Sequence, residues 1–154
     1  MPIYFFESSA AVKRYINEVG SGWVTGLADP ASGNRIHVSR IAGVEVVSAV
    51  TRRALGGSIS PSDAAAAIAL FRYHFTHNYA VAEVSSDLIL SAMHVAETHG
   101  LRGYDSVQLA AALEVRADCV ALGVPGPILI SADVELNTAA IAEGLAIDDP
   151  NLHP

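Results

Sequence analysis

The chain has 154 residues, of which 51% are hydrophobic and 16% charged, and a formal net charge of −7. That length suits one domain, residues 1–154, with a sizeable core, and the acidic balance argues against a protein that coats nucleic acid by charge alone. The charged share is well below the usual quarter or so, which suggests a compact body with a partner-covered face.

The opening "MPIYFFESSAAVKRY" places no basic region before its apolar residues and meets charge too early for a signal peptide. No apolar run approaches the roughly 18 residues that span a bilayer. The single cysteine, Cys119, permits no internal disulfide and, in the apolar segment "ADCVALG", reads as core filling. A cytoplasmic protein with no membrane association is expected.

In chain order, Ile3 to Phe6 reads as a buried strand, and the pair Ser8 and Ser9 as the cap of a helix running to about Glu18. The break "GSG" leads into a short amphipathic piece that ends at the loop signal "DPASGN". "RIHVS" is the second strand. From Ile41 to Val50 every residue except Glu45 and Ser48 is apolar or Gly, the pattern of a helix apolar round most of its circumference, ending at Gly56 and Gly57. Ser60, Pro61 and Asp63 cap the helix of "SPSDAAAAIALFRYHF". "YAVAEVS" is a third strand, and helices follow over Asp87 to His99 and about Ser106 to Leu122. "ILIS" is a strand, "DVELNTAAIAEGL" a helix and "AIDDP" a final strand. Strands interleaved with helices imply right-handed crossovers and a parallel sheet covered on both faces.

In such a sheet, ligands bind beyond the carboxyl ends of the strands, where the crossovers change direction. Glu7 directly follows the first strand and Asp133 nearly follows "ILIS". Asp105 opens a helix in "LRGYDSVQLAAAL". Glu45 lies mid-helix in the apolar run, with no cation three or four places away, so it needs a partner from elsewhere in the chain or a bound cation. Four carboxylates gathered there would repel one another unless a divalent cation lay among them. Oxygen-only donors suit Mg²⁺ or Mn²⁺ better than Zn²⁺.

Each acid also has a plainer role. Asp105 with Gln108 has the spacing of a capping box, Asp133 can cap its own helix, and Glu7 can favour a helix N-terminus. Glu45 can pair with an arginine from another helix. His74 and His77 stand one turn apart without a third ligand nearby, so surface or interface positions suit them better than a metal. The aromatics of "FRYHFTHNY" recur at helical spacing, as packing residues do.

With these residues in view, the chain resembles the PIN-domain ribonucleases, and VapC-type toxins of type II toxin–antitoxin systems in particular, along essentially its whole length. The segments that carry this are "YFFESSAAVKRY", "RIAGVEVVSAVTRRALGGSIS", "LRGYDSVQLAAAL" and "ILISADVELNTAAIAEGLAIDDP". The resemblance implies an α/β fold, a PIN-like three-layer α/β/α domain with a short-stranded parallel sheet. It further implies a Mg²⁺- or Mn²⁺-dependent endoribonuclease acting on RNA, a homodimer, and inhibition by a cognate antitoxin. Carried over by position, the catalytic and metal-binding acids are Glu7, Glu45, Asp105 and Asp133, with Ser9 in support. Lys13 and Arg14 are the cations nearest Glu7 in sequence and are expected to hold the RNA backbone, although a solvated helix end explains them equally well.

The chain departs from the family at Glu7, where the family has Asp. The extra methylene adds about 1.5 Å of reach, while Mg²⁺ holds its ligands at about 2.0–2.1 Å. The alternative is therefore a degenerate PIN-like module that binds antitoxin or RNA without cutting. A phospho-acceptor domain also gathers acids at strand ends, but it needs a lysine late in the chain, and Lys13 is the only lysine.

Overall fold

In the computed structural model, which describes residues 1–154, all five runs expected as strands pair into one sheet. They are β1 Ile3–Phe6, β2 Arg35–Ser39, β3 Ala80–Ala82, β4 Ile128–Ile130 and β5 Ala146–Asp148. Every pairing is parallel, in the order β3-β2-β1-β4-β5. The chain moves outward from β1 through β2 to β3, then returns past β1 to build β4 and β5. The switch of direction lies between β1 and β4, so that is where a ligand crevice is expected.

Two helical layers follow from the alternation of strand side chains. Phe6, Ile36, Val38 and Ile130 face one way, into a core shared with α1 Ser8–Ala11, α2 Ser21–Leu27, α3 Ala42–Leu55 and α4 Pro61–His77. Phe5 and Leu129 face the other way, against α5 Ser86–His99, α6 Gly103–Ala121 and α7 Val134–Ala142. Phe5, Phe6, Leu129 and Ile130 are fully buried, each worth roughly 1.5–3 kcal/mol of apolar burial. Cys119 lies inside the second core, as expected of a filling residue.

Three helices differ from the sequence reading. The first is α-helical only to Ala11 and tightens into a 3-10 turn over Val12–Arg14. That turn lets Val12 and Ile16 both reach the core and carries Lys13 back to Glu18, 3.1 Å away. The cap of α1 is Glu7, not Ser8 or Ser9. Helix α3 is not buried all round: only Ala42, Val46 and Val50, a stripe at every fourth residue, are buried, and Val44 is 65% exposed. Its glycine matters for packing, because a Cβ on Gly43 would stand 3.2 Å from the Phe75 ring of α4. Since α3 starts at Ala42, Glu45 sits in its first turn rather than mid-helix. Helix α6 starts at Gly103, earlier than expected, which places Asp105 inside the helix rather than at its cap.

The carboxyl-terminal turn Pro150–Leu152 packs against α2. The Trp23 and His153 rings stack there at 3.9 Å, and Gly20, at φ +85°, lies where a Cβ would strike Pro150. No helix is long and apolar enough to cross a membrane.

Candidate functional site

Glu7 leaves β1 at the switch point and is 4% exposed. Its backbone N–H still bonds to Ile130 of β4, at 3.1 Å, so the acid is fixed where the two central strands end. The side chain turns back onto its own helix, where Oε2 accepts from the Ser9 N–H at 2.9 Å and from the Ser9 hydroxyl. The Ser131 hydroxyl stands at 3.4 Å from the same oxygen. Ser9 Oγ also accepts from the Ala132 N–H at 2.9 Å, so one hydroxyl ties Glu7 to the segment after β4. Burial pushes the Glu7 carboxyl up from 4.5 to about 7, helped by the charges of Glu45 and Asp105 and opposed by the two Ser9 bonds.

Glu45, half-buried, has the partner that its position demands, and that partner is not an arginine. Oε1 accepts from Ser8 Oγ at 3.0 Å and from Gln108 Nε2 at 2.7 Å. Gln108 Nε2 lies 2.8 Å from Ser8 Oγ as well. Gln108 is fully buried, and it serves this site instead of completing a capping box with Asp105. The sequence reading missed Gln108 and Ser8. A signal was present: Gln108 is the one large polar residue in the otherwise apolar run "VQLAAAL".

Asp105 makes no side-chain hydrogen bond to protein and stands in the first turn of α6. Partial burial raises its carboxyl, and the charges of Asp133 and Glu45 add to the rise, while Arg102 opposes it. Asp133 does cap α7, its Oδ1 accepting from the Leu136 N–H at 3.0 Å. Asn137 and Ser131 brace the same turn: Asn137 Nδ2 donates to the Ser131 carbonyl at 2.8 Å, and Ser131 Oγ accepts from the Asp133 N–H at 3.1 Å.

A common pattern links the four acids. Glu7, Glu45 and Asp133 each commit one carboxylate oxygen to protein donors and leave the other free, and Asp105 leaves both free. None of these free oxygens is sealed from solvent. The charges of Glu45 and Asp105 act on Glu7, and those of Asp133 and Glu45 act on Asp105. No three of the chain's Asp, Glu, His and Cys side chains stand close enough to enclose an ion unaided.

The two cations expected near Glu7 are engaged within the fold. Lys13 is 5% exposed and paired with Glu18, which Arg53 of α3 also contacts. Arg14 donates to the Tyr79 hydroxyl at 3.0 Å. Neither forms a solvated helix end. Ser9, Lys13, Arg53 and Ala132 line a cavity of about 480 Å³ whose lining includes none of the four acids. A cavity of about 980 Å³, lined by Ile3, His37, Val81 and Cys119, contains none of the four either. His74 bonds to Tyr15 at 2.8 Å, and His77 lies against the Tyr73 ring, so the histidine pair serves packing.

No protein-family model matches the chain. Two curated proteins of Mycobacterium tuberculosis, Ribonuclease VapC45 and Ribonuclease VapC49, are each 32% identical to it across the full length of both chains. Among solved structures, PAE2754 from Pyrobaculum aerophilum superposes with a TM-score of 0.62 at 18% identity, covering 98% of this chain and 91% of that one. VapBC2 from Rickettsia felis, bound to a promoter DNA fragment, superposes with a TM-score of 0.59 at 14% identity over 96% and 98%. FitAcB from Neisseria gonorrhoeae does so at 0.55 and 12% identity over 96% and 97%. These three likenesses establish the fold.

Proposed function

The chain belongs to the VapC ribonuclease family, and from that premise we propose that it is a Mg²⁺- or Mn²⁺-dependent endoribonuclease, the toxin of a toxin–antitoxin pair. The observation that carries the metal dependence is the set of free oxygens on Glu7, Glu45, Asp105 and Asp133 at the carboxyl edge of the sheet. All are hard donors, and burial of Glu7 among other acids disfavours its charged form until a cation is present. That donor chemistry fits Mg²⁺ or Mn²⁺, which keep waters in their shell and so do not need a cage made of protein alone.

When bound, a divalent ion would supply Lewis acidity toward the scissile phosphate and a water, and the acids of this chain would hold it. Glu7 and Asp105 are assigned as direct ligands, and Asp133 completes the shell directly or through water. Glu45, held at Oε1, uses Oε2 to bind the ion or to orient the attacking water as a base. Ser9 holds one Glu7 oxygen, Oε2, against its own helix and leaves Oε1 for the ion. Lys13 and Arg14 are assigned to the RNA backbone, which for Arg14 requires release of the Tyr79 hydroxyl it holds. For Lys13 this requires its pair with Glu18 to loosen when a phosphate enters the neighbouring cavity.

The partners proposed with this activity are a second copy of the chain and a cognate antitoxin, in the cytoplasm where the RNA substrate is found. Support comes from apolar side chains left in water: Val44, Leu55 and Tyr73 on α3 and α4, and Leu90 and Met93 on α5, each more than half exposed. The deciding experiment incubates purified protein with RNA in Mg²⁺, Mn²⁺ or chelator. Cleavage that needs the ion is expected; equal cleavage in chelator, or none in any condition, overturns the proposal.

A further inference from the structure

We propose that Gln108 is a positioning residue for the acidic site: with Ser8 it clamps one oxygen of Glu45 so that the other points to the cation. The inference rests on the reading of the four acids as a cation site and names the device that aims one of them. Gln108 and Glu45 are 63 residues apart, on α6 and α3, and those helices sit on opposite faces of the sheet. Gln108 therefore reaches past the carboxyl edge of the sheet to meet Glu45 and the residue after Glu7.

The directions of the bonds define the clamp. Ser8 Oγ spends its proton on Glu45 Oε1 at 3.0 Å. Its lone pairs can then accept from Gln108, whose Nε2 lies 2.8 Å away and also donates to Glu45 Oε1 at 2.7 Å. An amide turned the other way would set its carbonyl against a carboxylate, so the donor role of Gln108 is forced. This orientation has a cost: Gln108 Oε1 is left buried without a partner. Methionine would fill the same space without that unmatched carbonyl, but it could not supply the amide donor that fixes Glu45 Oε1. The two donated bonds leave Glu45 Oε2 as the only oxygen free for a ligand.

The test compares the parent with Gln108→Met, which keeps the volume and removes both donors, and with Ser8→Ala, which removes the shared hydroxyl. Mg²⁺ and Mn²⁺ affinity is measured by titration calorimetry, and the melting temperature is measured without metal. Gln108→Met relieves the unpaired carbonyl but takes a donor from Glu45, so its melting temperature is expected to stay close to the parent's, while Mg²⁺ binds about 10- to 100-fold more weakly, the loss typical of outer partners of metal ligands. Ser8→Ala is expected to weaken binding in the same direction, and it decides the matter alone if Gln108→Met does not fold. Variants that bind as tightly as a metal-binding parent, or whose lost affinity merely tracks a lower melting temperature, overturn the clamp. A parent that binds neither ion overturns the proposed function and the clamp with it.

Discussion

Ser9 joins Glu7 to the far side of the switch point: its hydroxyl donates to the buried carboxylate and accepts from the Ala132 N–H beyond β4. Replacing it with alanine leaves Glu7 with one donor fewer and the Ala132 N–H without its acceptor. Ser9→Ala should therefore lose about 1–3 kcal/mol of stability, read by urea denaturation, and bind Mg²⁺ more weakly than the parent. An unchanged denaturation midpoint would show that the bridge contributes nothing.

The metal-free protein should lose stability as pH rises toward neutrality. Glu7 titrates at 4.5 when unfolded and about 7 when folded, so between those values the folded state holds more protons than the unfolded one, and stability falls with rising pH. The contribution is fully present below pH 4.5 and gone above about 7, with an upper bound of roughly 3 kcal/mol. Asp105, also raised, acts with the same sign. Subtracting the same pH series for Glu7→Gln isolates the Glu7 part. Added Mg²⁺ should reverse the trend, because the ion binds the ionised acids. A parent whose stability in chelator climbs relative to Glu7→Gln between pH 5 and 8 contradicts the assignment.

Asp105→Asn separates ligand from helix-end residue. Asp105 has no protein hydrogen bond to lose, and the neighbouring acids disfavour its charge. The variant should therefore melt at the parent temperature or above it in chelator, yet cleave RNA at least about 100-fold more slowly. Parent-like cleavage would reduce Asp105 to a residue that merely favours the start of α6.

The strands were legible because β-branched and aromatic runs such as "IYFF", "RIHVS" and "ILI" are short and bounded by turn residues. Order along the chain placed Glu7, Glu45 and Asp133 after strands, which is enough to bring them to one edge. What periodicity could not supply was the face of α3 left in water: Val44 looks like core in a one-dimensional pattern, and its exposure depends on where α4 packs. The fate of Lys13 was equally hidden. Its burial follows from a 3-10 turn whose geometry is set by the packing of Val12 and Ile16. Gln108 was passed over because capping-box spacing explained it locally, while its true partners lie 63 and 100 residues away.

The departure of Glu7 from the family's aspartate can be tested by a pair of variants that separate reach from charge. In the structure the longer arm is turned back, and Oε2 is occupied by Ser9 and Ser131, so the methylene is absorbed within the fold and only Oε1 faces outward. Aspartate also accepts bonds from the first amides of a helix, so Glu7→Asp should keep the Ser9 contact while shortening the arm. It is expected to bind Mg²⁺ as tightly as the parent or more tightly and to cleave at an equal or higher rate. Glu7→Gln keeps the length and removes the charge that balances the cation, so both affinity and cleavage should fall by about 10-fold or more. Its stability in chelator at pH 8 should rise, since the buried charge is gone. A Glu7→Gln protein that binds Mg²⁺ and cuts RNA like the parent would reduce Glu7 to a helix-end carboxylate, with the ion resting on Glu45, Asp105 and Asp133. If the parent and Glu7→Asp both bind the ion and neither cuts any RNA, the non-catalytic PIN-like module replaces the nuclease.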